Sequence, residues 1–127
     1  MYLIFSGYVL IGQKIPEVIS EKYNLTPLNI VLQKKFYVKI KYRDDEINLK
    51  DTAFNYRNTA TSSFIKGAWY DDKQNYFIFN LNDTYYHYCN VPTLIWKEFE
   101  VVDLYGDFYN QKIRGNYSCQ YKEVPIY

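Results

Sequence analysis

The sequence predicts the α+β class: a small antiparallel sheet with one main helix and a short second helix on one face, preceded by a β-rich N-terminal half. Three observations support this prediction. The chain has 127 residues, a length that predicts one domain. Phe, Trp and Tyr make up 20% of the chain, and a ring-rich composition favours strands over long helices. In the second half of the chain, strand patterns precede helix patterns.

The first half of the chain, residues 1–60, is predicted to consist mainly of strands. The apolar start, 1–12, is interpreted as a strand because it lacks the basic region and cleavage site of a signal peptide. It is also shorter than the roughly 20 residues of a membrane-spanning helix, so we expect no membrane association. A short helix is predicted over 16–23, where Pro16 suits the first helical turn.

A period of two in residues 28–42 is the clearest pattern in the sequence, and it is typical of β structure with one buried face. Apolar residues occupy the even positions: Leu28, Ile30, Leu32, Phe36, Val38, Ile40 and Tyr42. The polar run 43–46 is predicted to be a turn. The segment 48–63 is rich in Asn, Thr and Ser, and is predicted to be a linker or surface loop.

The second half is predicted to begin with a three-stranded meander. Strands are expected over 64–69, 76–81 and 84–89, joined by turns at 71–75 and 82–83. The strand 76–81 is apolar on both faces, so both faces of the meander need a cover.

Aromatic side chains alternate along the last of these strands. The alternation forms two pairs on opposite faces: Tyr86 with Tyr88, and Tyr85 with His87. One pair is expected to pack under the helix. The other pair, with Phe77 and Phe79, would form an aromatic face larger than a monomer normally exposes. It must be covered by the first half, by another subunit or by a ligand's base, and we expect a homo-oligomer.

Two helices are predicted after the strands. Val91 and Pro92 begin the main helix, and Gly106 is expected to end it. A short second helix is predicted over 108–114, capped by Asp107 and ended by Gly115. Three side chains of the main helix share its inward face: Ile95, Phe99 and Val102.

Cysteine number and charge limit the possible functions. Cys89 and Cys119 are too few for a disulfide framework and, with the single His87, too few for a structural zinc site. We therefore expect free thiols, no metal or other cofactor, and a cytoplasmic protein. The 15 Lys and Arg residues nearly balance the 14 Asp and Glu residues, which leaves a net charge of +1. Proteins that bind polyanions usually carry a more basic surface.

No catalytic residues are evident. Cys89 lies two positions from His87 on the same strand face, at a distance that is poorly suited to proton transfer between them. A strand histidine beside a buried thiol is the simpler interpretation. No serine has the setting of a nucleophile elbow, and the five glycines form no phosphate-binding loop. The sequence favours a binding protein over an enzyme.

The second half resembles a known family, the KTSC domain, over about residues 61–120. The resemblance rests on the order and spacing of six segments: 61–65 (TSSFI), 70–71 (YD), 86–88 (YHY), 91–92 (VP), 106–110 (GDFYN) and 113–117 (IRGNY). Three positions depart from the family pattern: Asn80, Asp83 and Leu104. The family has no established reaction, and the resemblance implies RNA binding as one possible function. Residues 121–127 would then form a C-terminal tail.

The whole chain also resembles the phage anti-Thoeris proteins in size and layout, with a β-rich half before a KTSC-like half. Those proteins are sponges that sequester a cyclic ADP-ribose signal. The resemblance implies a small nucleotide as ligand.

Arginine is the expected phosphate-binding residue, because its planar fork holds phosphate bidentately. Arg114, which lies in a KTSC-like segment, is the first candidate. The alternative is a structural pairing of Arg114 with Asp103 or Asp107. Arg57 is a second candidate, with an exposed loop arginine as the alternative.

Aromatic rings are the expected base-binding groups. Tyr86, Tyr88 and His87 are candidates for stacking on a base, a contact that contributes roughly 1–3 kcal/mol. Asn110 of the KTSC-like segment 106–110 completes the candidate ligand-binding set. Some of these rings are equally expected to belong to the core.

The preferred hypothesis is non-enzymatic sequestration of a small phosphorylated nucleotide, of the cyclic ADP-ribose type or a cyclic oligonucleotide, in an aromatic and arginine-lined pocket. Such a ligand needs only one or two arginines, which agrees with the near-neutral charge. The alternative is an RNA- or tRNA-binding module.

Overall fold

A computed structural model describes residues 36–119 and 123–127. The elements in chain order are β1 (Tyr37–Lys39), β2 (Glu46–Asn48), β3 (Asn55–Arg57), β4 (Ile65–Asp71), β5 (Tyr76–Leu81), β6 (Thr84–Tyr88), α1 (Thr93–Val101), α2 (Tyr105–Phe108) and a π-helical turn (Tyr109–Ile113). These elements confirm the α+β class. The predicted strand 1–12, the predicted helix 16–23 and most of the alternating pattern lie outside the described residues. Among the helices that are described, none combines the length and apolar character required to cross a membrane.

Two antiparallel sheets organise these strands. One has four strands in the order β3-β4-β5-β6, and the other pairs β1 with β2. The predicted turn between β5 and β6 is confirmed: Asn82 and Asp83 adopt φ values of 51° and 72°, as a two-residue hairpin of type I′ requires. The side-chain oxygen of Asn80 accepts a hydrogen bond of 2.8 Å from the Asp83 backbone N–H. Asn80 and Asp83 both depart from the family pattern, and the hydrogen bond between them stabilises this turn.

The helices cover one face of the four-stranded sheet, as predicted. Phe77 and Phe79 on β5 are fully buried there, together with Phe99 of α1. The Phe99 ring meets both edge-to-face, with centroids 5.6 and 5.5 Å away. Tyr88 packs against the same cluster. Phe77 and Phe79 thus belong to the core under the helices, and the expectation that they lie on the face away from the main helix is wrong.

The β1–β2 hairpin and the C-terminal residues cover the opposite face. Ile40 and Ile47 are buried against Tyr76 and Ile78 of β5, and Val124 and Tyr127 pack on the same cluster. The backbone N–H of Lys41 donates to the carbonyl of Tyr85 at 2.8 Å, which ties the hairpin to β6. Both faces of β5 are therefore covered within one chain. This removes the reason given for a homo-oligomer, and the number of subunits stays a prediction.

Several predicted element boundaries are wrong. The segment 48–63 is not only a loop, because β3 (Asn55–Arg57) forms the edge of the main sheet within it. Gly106 does not end the main helix, which stops at Val101, but lies inside α2. A Cβ at Gly106 would lie 2.6 Å from the Phe64 ring, so this glycine permits a close packing contact. Asp107 likewise lies within α2 and does not cap it.

Cys89 and Cys119 form a disulfide, with their Cα atoms 5.0 Å apart. The prediction of free thiols is therefore wrong, and the argument from the cysteines for a cytoplasmic protein loses its basis. The Cys89 backbone N–H donates to the carbonyl of Tyr117 at 2.8 Å. This hydrogen bond holds the segment that contains Cys119 beside Cys89. The number of cysteines could not predict that the fold places Cys119 next to Cys89.

Candidate ligand-binding cleft

A surface cleft of about 870 Å³ is the candidate functional site. Three segments supply its lining: the turn 42–45 between β1 and β2, residues 86–88 of β6, and residues from 115–119 after the π-helical turn. Val124 closes it on the side of the C-terminal residues. Its volume lies within the range of about 300–1,000 Å³ that small-molecule sites occupy.

Arg43 lies buried at the base of this cleft, although the sequence placed it in a polar turn. Its guanidinium donates to both carboxylate oxygens of Asp45, at 2.7 and 3.1 Å, and also to the Tyr76 hydroxyl and the Pro125 carbonyl. The Arg43 side chain is 2% exposed and the Asp45 side chain 56%. A buried charge is costly unless it is paired and hydrogen-bonded, and Arg43 meets both conditions. The hydrogen bonds from Arg43 lower the pKa of Asp45.

Tyr76 connects Arg43 to His87. The Tyr76 hydroxyl lies 2.7 Å from His87 Nδ1. Burial raises the pKa of Tyr76 to about 12, so the phenol is protonated at neutral pH. Burial also lowers the pKa of His87, and the positive charges of Arg43 and Lys39 act in the same direction. Both groups are therefore uncharged at neutral pH.

Tyr88 and Tyr86 form one wall of the cleft and differ in the hydrogen bonding of their hydroxyls. The Tyr88 hydroxyl is hydrogen-bonded to that of Tyr109, which fixes Tyr88 to the helix-side core. Tyr86 has no such bond in the described residues, and the Lys41 ammonium lies 5.5 Å from its ring centroid.

Tyr42 also lines the cleft, with 82% of its surface exposed. The sequence pattern placed it on the buried face, which is wrong because the strand ends before it. Its φ is 71°, a conformation uncommon for a residue with a side chain and often found at functional sites. Tyr42 is therefore a largely exposed ring in the lining of the cleft, with the Lys41 ammonium 5.3 Å from its centroid.

Arg114 lies beside the cleft, next to the lining residue Gly115. Burial and the bond to Tyr109 raise the pKa of Tyr88, and the positive charge of Arg114 acts against that rise. Arg114 is exposed, and within the described part of the chain it forms no salt bridge with Asp103 or Asp107. The structural pairing considered from the sequence is absent.

Arg57 and Asn110 lie away from the cleft. Arg57 is on β3, at the edge of the main sheet opposite β6, where its Nε donates to the Tyr105 hydroxyl at 3.0 Å. Asn110 is exposed on the π-helical turn and does not line the cleft. The structure thus brings together Tyr86, His87 and Tyr88 of the candidate set, with Arg114 beside them.

The family model of the KTSC domain matches residues 61–117. The chain carries a KTSC domain. The match begins in the loop before β4 and includes β5, β6 and both helices, so the KTSC domain supplies the wall 86–88 and residues 115 and 116. The turn 42–45, Cys119 and Val124 lie outside it. No curated protein and no solved structure matches the chain.

Sequence reasoning missed the contribution of the turn 42–45 to this cleft beside the KTSC domain. An arginine next to two aspartates reads as a solvated turn, and only the fold shows that Arg43 is buried while Asp44 and Asp45 face the cleft. A tyrosine directly before such a turn, at Tyr42, was the one available signal. Among the described residues, no group of three or more His, Cys, Asp or Glu side chains is arranged to hold a metal ion.

Proposed function

We propose that this KTSC-domain protein binds and sequesters a small phosphorylated nucleotide in the cleft and leaves it chemically unchanged. The expected ligands are of the cyclic ADP-ribose type or cyclic oligonucleotides. One observation carries the proposal: a cleft of about 870 Å³ has the rings of Tyr42 and Tyr86 in its lining, and Lys41 and Arg114, which have no carboxylate partner in the described residues, are next in sequence to lining residues.

The rings Tyr42 and Tyr86 are suited to hold a base. Tyr42 is 82% exposed and Tyr86 is half-buried, so each presents ring surface to a ligand. Stacking on one such ring contributes roughly 1–3 kcal/mol per base. Tyr88, bonded to Tyr109, serves mainly as a fixed wall.

Lys41 and Arg114 are suited to hold phosphate. Both are exposed, each is next in sequence to a residue that lines the cleft (Tyr42 or Gly115), and neither forms a salt bridge within the described residues. Asp44 lines the cleft as well, and its carboxylate can accept hydrogen bonds from ribose hydroxyls. Phosphate, sugar and base thus each find a chemically suitable side chain.

Binding without reaction agrees with the protonation states at the base of the cleft. Arg43 is already paired with Asp45 and hydrogen-bonded to the Tyr76 hydroxyl. Tyr76 and His87 are uncharged at neutral pH. An enzyme would need a nucleophile or a base that is free to accept a proton.

Isothermal titration calorimetry with cyclic ADP-ribose, ADP-ribose and a cyclic dinucleotide tests the proposal. Arg114→Ala should weaken binding roughly 10- to 100-fold, because hydrogen bonds to charged groups contribute about 1.5–3 kcal/mol. Lys97→Ala, which removes an exposed cation of α1 away from the cleft, is the matched control and should leave the affinity unchanged. Equal affinity of Arg114→Ala and the unmodified protein would count against the proposal.

Two further measurements separate the alternatives. RNA binding would show an affinity that falls steeply with salt, whereas a ligand with two phosphates gives a shallow dependence. Mass spectrometry of molecules released by denaturing the purified protein would identify a bound nucleotide. Recovery of an intact nucleotide supports sequestration, and recovery of a cleaved product indicates an enzyme.

A further inference from the structure

The hydrogen-bond chain from Asp45 through Arg43 and Tyr76 to His87 has a direction. The Arg43 guanidinium can only donate, so the Tyr76 hydroxyl accepts from it at 3.1 Å. The hydroxyl has one hydrogen of its own, and the remaining partner within the described residues is His87 Nδ1, at 2.7 Å. With the hydrogen placed there, the buried Tyr76 hydroxyl accepts from Arg43 and donates to His87, so its own hydrogen has an acceptor.

The opposite arrangement is unfavourable. If His87 carried its hydrogen on Nδ1, Tyr76 would accept from both neighbours and its own hydroxyl hydrogen would have no partner among the described residues. Tyr76 is 0% exposed, and an unsatisfied buried donor costs about 1–3 kcal/mol. A doubly protonated ring would in addition face the positive charges of Arg43 and Lys39.

We propose that Arg43 and Tyr76 are positioning residues that fix His87 as the neutral Nε2–H tautomer, so that the cleft presents a hydrogen-bond donor to its ligand. His87 lines the cleft, and its Nε2 has no hydrogen-bond partner in the described residues. The part of this proposal that concerns the ligand rests on the proposed function, whereas the tautomer does not.

The fixed tautomer defines which ligand group His87 can recognise. An uncharged Nε2–H pairs with a lone-pair acceptor, and a ring nitrogen or carbonyl of the base suits it because Lys41 and Arg114 already offer positive charge to the phosphates. The tautomer also removes His87 as a general base, since the nitrogen facing the ligand already carries its proton.

Nitrogen-15 NMR of the imidazole in the ligand-free protein tests the tautomer directly. His87 is the single histidine of the chain, so a tag-free sample gives one unambiguous set of ring signals. We expect a protonated Nε2 and an unprotonated Nδ1 at neutral pH. A protonated Nδ1, or a charged ring at pH 7, would overturn the proposal.

Tyr76→Phe tests whether Tyr76 is responsible. This variant keeps the ring and removes the hydroxyl, so the Nδ1 signal should shift and the fraction of the Nδ1–H tautomer should rise towards that of a free imidazole. Tyr85→Phe is the matched control, because Tyr85 is a half-buried tyrosine of β6 whose hydroxyl makes no hydrogen bond with the described residues. Identical imidazole spectra for Tyr76→Phe and the unmodified protein would overturn the positioning role.

Calorimetry with ADP-ribose as the probe tests the donor to the ligand. His87→Phe should bind roughly 3- to 10-fold more weakly, as the loss of one neutral hydrogen bond predicts, while His87→Gln, which keeps an N–H donor near Nε2, should bind more tightly than His87→Phe. Equal affinities of His87→Phe and the unmodified protein would exclude the donor role. If the unmodified protein does not bind any of the nucleotides, the proposed function fails, and the tautomer is still decided by the NMR spectrum.

Discussion

The two faces of the central sheet are built on different principles. The helix face is a cluster of fully buried aromatic rings, in which Phe77 and Phe79 stack on each other and both meet Phe99 edge-to-face. The opposite face combines apolar contacts with buried polar groups, among them Arg43 and Asp71 at 3% and 1% exposure. The first face is a conventional core. The second, called the polar face below, has a hydrogen-bond chain that leads to the cleft.

The difference follows from the origin of the residues. The family match 61–117 contains the whole helix face, which the KTSC domain therefore completes by itself. The other face needs residues outside the match, namely Ile40 and Ile47 from the β1–β2 hairpin and Tyr127 from the C-terminal residues. The cleft lies at this junction. We infer that the surrounding segments adapt the second face of the KTSC domain in this protein.

The largest effect on stability is expected on the helix face. Phe79→Ala removes a fully buried ring that packs against Phe99, Tyr88 and Tyr109. Such a substitution costs about 3–5 kcal/mol, through lost burial and the cavity that remains. Urea denaturation followed by circular dichroism measures it. Leu94→Ala on the outer side of α1, where Leu94 is 65% exposed, should change stability by no more than about 0.5 kcal/mol.

The second effect concerns the disulfide that holds the chain beside the polar face. Cys89 and Cys119 are 30 positions apart, and closing a loop of that length stabilises the fold by about 3–4 kcal/mol in the chain-entropy description. Reduction with dithiothreitol should lower the urea midpoint by a corresponding amount. Hydrogen exchange should rise first around Tyr117 and the C-terminal residues, and last in β5.

The double variant Cys89→Ser, Cys119→Ser controls for direct effects of the reductant. Its urea midpoint should be as low as that of the reduced protein and should not respond to dithiothreitol. A midpoint of the unmodified protein that is the same before and after complete reduction would show that the disulfide does not stabilise this face.

Local sequence patterns predicted the helix face and failed on the polar face. The strand 76–81 and the turn 82–83 were predicted correctly, because a short apolar run and the turn residues that bound it are encoded by neighbouring residues. The Arg43 contacts join residues 33 and 82 positions apart in the sequence, to Tyr76 and Pro125. No local period encodes such contacts, so Arg43 looked like any solvated turn residue.

The candidate site divides in the same way. Tyr86, His87 and Tyr88 were predicted together because they are adjacent on one strand. Arg57 was expected near them from its residue type and from the polar residues around it in 55–59, and the strand order places it at the other edge of the sheet. Predicting its position would have required the order β3-β4-β5-β6, which depends on recognising β3 in a segment rich in Asn and Thr.

The smallest of the three effects is the dependence of stability on pH, which we expect to arise from the titratable groups of the polar face. His87 has a lowered pKa, caused first by burial and then by Arg43 and Lys39, while Tyr76 and Asp45 complete the chain of groups leading to it. The unfolded chain therefore takes up a proton near pH 6.5 before the folded protein does. Stability should be at its full value above pH 6.5 and should decrease as the pH falls from there towards the folded pKa.

Asp71 adds a second decrease at lower pH. Burial raises its pKa, but hydrogen bonds from Tyr127, Gln74 and the backbone outweigh burial, so the folded pKa is lowered. Its contribution is present above about pH 3.9 and is lost as the pH falls through the folded pKa. Urea midpoints between pH 8 and pH 3 measure both steps. His87→Gln should remove the step below pH 6.5 and keep the step below pH 3.9, whereas Asp71→Asn should reduce only the latter. If both variants retain the unmodified profile, the acid sensitivity arises elsewhere, and the two faces do not differ in the way their buried groups indicate.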